Sequence, residues 1–97
     1  MLYTVNKAPL SASSLSSALR IAPAGAPVLL YEDGVYAAVP GAQSADMVES
    51  MLSSHPIYAL DADLEARGIG SVITGIHVIS YDGFVELVEQ HDVAPWL

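Results

Sequence analysis

Four short apolar runs alternate with stretches of helical spacing along 97 residues, and this alternation limits the fold more than any other feature. Met1-Leu2-Tyr3-Thr4-Val5 is rich in β-forming residues and reads as a strand, broken at Asn6-Lys7-Ala8-Pro9 because the residue before a proline avoids the helical region. Ser13 to Ala22 has helical spacing through Leu15, Ala18, Leu19 and Ala22, with Arg20 in the last turn and Pro23 and Gly25 as the stop. Val28-Leu29-Leu30-Tyr31 is a continuous apolar run, the pattern of a strand buried on both faces, and it ends in the turn signal Glu32-Asp33-Gly34.

Beyond that turn, Val35 to Val39 begins a helix that Pro40-Gly41 interrupts, and a second helix fits Ser44 to Ser53 with one stripe of Met47, Val48, Met51 and Leu52. Pro56 to Leu60 is the third strand. Asp61 is placed to cap a short helix ending at Arg67, with Gly68 just past its end. Gly70 to Gly75 reads equally as loop or short edge strand. Ile76 to Tyr81 is the fourth strand, Asp82 caps a helix from Gly83 to Gln90 with Phe84, Leu87, Val88 and His91 inward, and Asp92 to Leu97 is a tail. Strands and helices in strict alternation predict a single α/β domain over residues 1–97, a parallel sheet of about four strands with helices on both faces.

Composition narrows what such a domain can do. Hydrophobic residues make up 53% of the chain and charged residues 14%, more apolar material than a domain of this size readily hides. No apolar stretch approaches the roughly 20 residues of a membrane span, and no leader pattern precedes the first strand. A cytoplasmic protein with an apolar contact face is expected. Lys7, Arg20 and Arg67 face 11 acidic residues, for a net charge of -8, which excludes the basic patch that direct nucleic-acid binding needs. Cysteine is absent, which excludes disulfides, thiolate ligands and a cysteine nucleophile on this chain.

Sites in open parallel sheets lie at the carboxyl ends of the strands. The polar residues expected there are Asn6 and Lys7, Glu32 and Asp33, Asp61 and Asp63, and Tyr81 and Asp82. Glu32 and Asp33 are conceivable as an acid/base pair, but neighbouring strand residues point to opposite faces, and turn or cap chemistry is the simpler account. Lys7 is either a solvated cation or a contact for an anion or partner. His55, His77 and His91 lack metal-site spacing, no serine sits in G-x-S-x-G, and Gly68-x-Gly70 follows a helix rather than a strand, so neither metal, hydrolase nor dinucleotide cofactor is expected. The Met47/Met51 pair reads as core. Trp96, almost at the end of the tail, fits docking on a neighbouring subunit as well as packing on its own domain.

Four blocks in order resemble the TusB/DsrH family. They are Leu2-Tyr3-Thr4-Val5-Asn6-Lys7-Ala8-Pro9; the strand from Val28 running into Asp33-Gly34-Val35-Tyr36-Ala37-Ala38; Ile57-Tyr58-Ala59-Leu60 running into Asp63-Leu64-Glu65-Ala66-Arg67-Gly68; and Tyr81-Asp82-Gly83-Phe84-Val85-Glu86-Leu87 with His91 and Trp96. The resemblance implies a flavodoxin-like, DsrEFH-like α/β fold. It implies a heterohexamer of paired trimers with TusC/DsrF-like and TusD/DsrE-like subunits, serving sulfur transfer as a cysteine persulfide. TusA-like or TusE/DsrC-like carriers would exchange sulfur with the complex. The end point would be 2-thiouridine at the tRNA wobble position in the Tus branch and sulfur oxidation in the Dsr branch. Some DsrH-branch members carry a cysteine in the first helix, where this chain has Ala18, so the resemblance implies a non-catalytic subunit here. Asn6, Lys7, Glu32, Asp33, Tyr36 and Trp96 are its candidate partner-facing residues. The rival expectations are a stand-alone enzyme or ligand-binding domain using Lys7, Glu32, Asp33 and Tyr81, and a homo-oligomer burying the same apolar face.

Overall fold

The computed structural model describes residues 1–7, 22–42 and 45–96, the last by its backbone only. Five strands form one parallel sheet: β1 (Leu2–Val5), β2 (Val28–Leu30), β3 (Ile57–Leu60), β4 (His77–Ile79) and β5 (Val93–Trp96), in the order β4-β3-β2-β1-β5. Between them lie a 3-10 helix (Glu32–Ala38), α1 (Ala45–Leu52), α2 (Asp61–Ala66) and α3 (Tyr81–Gln90). The helix expected over Ser13–Ala22, including Ala18, lies outside the described residues except at its last position.

Burial follows position in the sheet. β1 and β2 are inside and every residue is buried, as their unbroken apolar runs require. β3 alternates buried and half-buried, and β4, at the edge, is mostly exposed. Tyr3, Val28 and Ile57 stand in one row, and Val5, Leu30, Ala59 and Val78 in the next, all on one face of the sheet. That face carries the main core: Val35, Ala37 and Ala38 of the 3-10 helix, Val48 and Met51 of α1, Leu64 of α2, and Ile73 and Ile76 from the loop before β4. The connections β2 to β3 and β3 to β4 step in the same direction, so right-handed crossovers place both on this face. The β4–β5 connection steps back across the sheet and belongs on the other, where the Phe84 ring of α3 meets Tyr31 at 6.2 Å.

The structure departs from the sequence reading at five places. The expected tail is a strand: β5 pairs with β1 from Leu2↔Val93 to Val5↔Trp96, making five strands rather than about four. Pro95 argues against a strand by pattern alone, but it is compatible with an outer strand, where a missing N–H breaks no ladder. The helix expected from Val35 begins at Glu32 and is 3-10, so Glu32-Asp33-Gly34 is its first turn rather than a separate one. Asp61 is not the cap of α2 but its first residue; Leu60 precedes it in extended conformation, and the Asp61 carboxylate accepts the Ala62 N–H at 2.6 Å. Asp82 likewise falls inside α3, because the strand ends at Ile79 and leaves Ser80 as the cap, its Oγ accepting from the Gly83 N–H at 3.4 Å. Of the expected inner face of α3, Phe84, Leu87 and His91 are half-buried and Val88 is exposed.

The other boundaries agree within a residue or two. Val48 and Met51 enter the core with Met47 and Leu52 partly buried against it, while Asp46 and Glu49 face solvent. Gly68, at φ +68°, ends α2: its N–H donates to the Glu65 carbonyl and that of Ile69 to the Leu64 carbonyl, the paired bonds of a Schellman stop. Gly70 to Gly75 is loop, tied down where the Ile73 N–H donates to the Ala38 carbonyl at 2.8 Å.

Candidate functional site

Of the polar residues expected at the strand ends, Asn6, Lys7, Glu32 and Asp33 lie at one edge of the sheet, because β1 and β2 are adjacent and parallel and finish there. Asn6 and Lys7 leave β1 there and Glu32 and Asp33 leave β2. The Tyr31 N–H donates to the Val5 carbonyl at 3.1 Å, and the Gly34 N–H to that of Tyr31 at 2.9 Å. The 3-10 helix thus presses on the end of β1, so closely that a Cβ on Gly34 would stand 2.0 Å from the Val5 oxygen. Only glycine fits, and the Asp-Gly-Val block owes its glycine to this contact.

Glu32 takes a left-handed conformation, φ +49°, which costs a residue with a Cβ roughly 1–2 kcal/mol. Its N–H donates to Asp63 Oδ2 at 2.7 Å, and a hydrogen bond to a charged acceptor returns about 1.5–3 kcal/mol, the lower end applying at this solvent-facing position. Arg67 completes the arrangement. Its Nε and Nη2 both lie 2.9 Å from Asp33 Oδ1, and its Nη1 donates to the Asp63 carbonyl at 3.3 Å and stands 3.7 Å from the Asp63 carboxylate. The hydrogen bond to Asp33, then the charges of Asp33 and Asp63, raise the Arg67 pKa above its ordinary value. Asp63 is among the polar residues expected at the strand ends, whereas Arg67 and Gly34 are not expected there from sequence. The signal was available in part, since Asp63 and Arg67 are four apart on one helix, a spacing that pairs opposite charges.

Glu32 and Asp33 are engaged separately: the Asp33 carboxylate is bound by Arg67 and the Glu32 side chain is exposed. Lys7 is exposed, Tyr36 is 41% exposed on the 3-10 helix, and Tyr81 is 62% exposed, stacked on Phe84 at 5.7 Å. Among the described residues, open grooves between α2 and β4, between Pro40 and Thr74, and between Met47 and His55 are lined without Lys7, Glu32, Asp33 or Tyr81. Asn6 is half-buried, and its Oδ1 is buried without a hydrogen-bond partner among the described residues. Trp96 ends β5 opposite Val5, and its side chain lies outside the described residues. His55 is buried with its Nδ1 2.9 Å from the Ala26 carbonyl, His77 sits against the Tyr58 ring at 5.3 Å, and among the described residues no three His, Asp or Glu gather to hold a metal. No described helix is long and apolar enough to cross a membrane.

Comparison with known proteins agrees with the block resemblance. The family described as "DsrH like protein" matches residues 7–94. Protein TusB of Serratia proteamaculans is 41% identical over 92 residues, 94% of each chain; that of Sodalis glossinidius is 38% identical over 91 residues, 93% of each; and that of Shigella flexneri is 35% identical over 92. Among solved structures, a protein of unknown function from Methanobacterium thermoautotrophicum superposes with a TM-score of 0.80 at 17% identity, covering 97% of this chain and 96% of its own. A Thermotoga maritima protein solved by NMR superposes with a TM-score of 0.56 at 22% identity, covering 95% of each chain. The two structures share the fold; the sequence matches go further, and on their strength this chain belongs to the DsrH-like family in which the TusB proteins fall.

Proposed function

We propose that the chain is a non-catalytic subunit of a sulfur-relay complex, assembled with TusC/DsrF-like and TusD/DsrE-like subunits as a heterohexamer. The observation that carries this reading is near-full-length similarity to proteins named TusB in a chain without cysteine. A persulfide forms on a thiolate, so sulfur in transit would sit on partner cysteines and never on this polypeptide. The contribution of this chain is shape and adhesive surface. Asn6, Lys7, Glu32, Asp33, Tyr36 and Trp96, around the ends of β1, β2 and β5, are the residues assigned to partner contact, with the Arg67–Asp33–Asp63 cluster holding the 3-10 helix in place to present them.

The TusB name of the relatives favours transfer toward tRNA wobble-uridine 2-thiolation over the sulfur oxidation of the Dsr branch. TusA-like and TusE/DsrC-like carriers would meet the complex through the cysteine-bearing subunits, in the cytoplasm, with no direct nucleic-acid contact by this chain. The test is co-expression with two cysteine-bearing candidates of similar size, followed by native mass measurement, persulfide labelling and tRNA analysis. The expected result is a mixed hexamer, label on a partner only, and loss of 2-thiouridine when the gene is deleted. A sulfur adduct or turnover on the isolated chain, or a self-association that excludes both partners, would overturn the reading.

A further inference from the structure

Between α2, the loop after it and β4 lies an open groove of about 320 Å³ lined by Leu64, Ile69, Val72 and Val78, with Asp61 and Glu65 also along it. Val78 stands in the same row as Val5, Leu30 and Ala59, a row that is buried up to β3, yet it is 51% exposed because no described strand follows. The two sheet edges differ. β5 carries Pro95, which offers no N–H to an incoming strand; His77-Val78-Ile79 carries no proline and no inward charge, only its shortness as a guard.

We propose that the β4 edge accepts an extended segment of another chain, paired along His77–Ile79, with an apolar side chain in the groove beside Val78 and lysine or arginine next to it. Strand addition supplies main-chain hydrogen bonds, and a pocket reading alternate side chains supplies selectivity. Charge decides the class of occupant. Asp61 and Glu65 are one turn apart on α2 and exposed, and among the described residues no cation pairs with either. A second copy, at a net charge of -8, would bring acid against acid, whereas a basic segment meets both carboxylates.

The inference rests on the subunit reading only in taking the occupant to be a different chain. Its test titrates the full chain with two synthetic peptides of about eight residues, one alternating valine with lysine and one valine with glutamate, read by backbone amide exchange. The lysine peptide is expected to protect His77–Ile79 and not β5, and the glutamate peptide to have no effect. Glu65→Lys combined with Asp61→Asn, both at exposed positions, is expected to weaken the lysine peptide about tenfold at low salt. Failure of the lysine peptide to bind, equal binding of both peptides, protection away from β4, or unchanged affinity in the double variant overturns the proposal. The two readings fail separately. A mixed hexamer in which β4 amides exchange as fast as in the free chain removes the edge proposal and leaves the subunit reading. Selective peptide capture without any hexamer does the reverse.

Discussion

Gly34 and Asp63 hold the carboxyl edge of the sheet in different ways. At Gly34 the constraint is steric: the Val5 carbonyl occupies the space a Cβ would need, and backbone on both sides leaves nothing flexible to move. Gly34→Ala is therefore expected to destabilise the fold by at least about 2 kcal/mol in urea unfolding, the upper part of the overpacking range. A loss below measurement error would mean that the 3-10 helix can draw back from β1. At Asp63 the constraint is a hydrogen bond offsetting strain at Glu32. Asp63→Ala is expected to speed exchange of the Glu32 amide on the order of tenfold, the worth of one such bond, while Asp63→Asn keeps an acceptor oxygen and most of the protection. Equal exchange in the two variants would assign the left-handed turn to something other than this carboxylate. Asp33 and Arg67 were legible as a turn residue and a helix end, but their partnership spans 34 positions, and no local pattern announces it.

Among the elements, β5 shows most clearly where local pattern stops being informative. Val-Ala-Pro-Trp has a proline inside it and only four residues, too little to declare a strand. It becomes one because β1 would otherwise present a bare edge, and because the Leu2 N–H donates to the Asp92 carbonyl at 2.7 Å to set the register. A chain ending at Asp92 is expected to self-associate in sedimentation as its concentration rises, since β1 has apolar residues and no guard on the edge uncovered. A monodisperse, equally stable product would show that β5 covers nothing of consequence. The helices were easier to read. Of the expected α1 stripe, Val48 and Met51 are in the core and Met47 and Leu52 are partly buried against it, while Ala45, outside the stripe, is buried as well. Caps were harder: Ser80, Asp61 and Asp82 are all competent N-terminal residues, and which one serves depends on where the preceding strand leaves the sheet.

Over the molecule as a whole, 11 acids against three cations store self-repulsion that the fold must overcome. Raising sodium chloride from about 20 mM to about 500 mM shortens the screening length from tens of ångströms to a few, so the melting temperature of the isolated chain is expected to rise. A fall would show that the Arg67 cluster outweighs the repulsion between the remaining acids. The same imbalance favours partners with basic contact surfaces, and the exposed Val78, Tyr81 and Val93 supply apolar contact on the outer parts of the fold.

The sequence alone determined the alternation of strand and helix, the parallel sheet, the main apolar stripes, the family and the absence of a thiol, because each is written in residue type or in spacing of a few positions. Only the tertiary structure decided that the last residues complete the sheet, that Arg67 binds Asp33, and that a groove opens between α2 and β4. Those outcomes depend on which segments become neighbours, and contacts made across 30 or more residues answer to the packing of the whole chain rather than to any stretch of it.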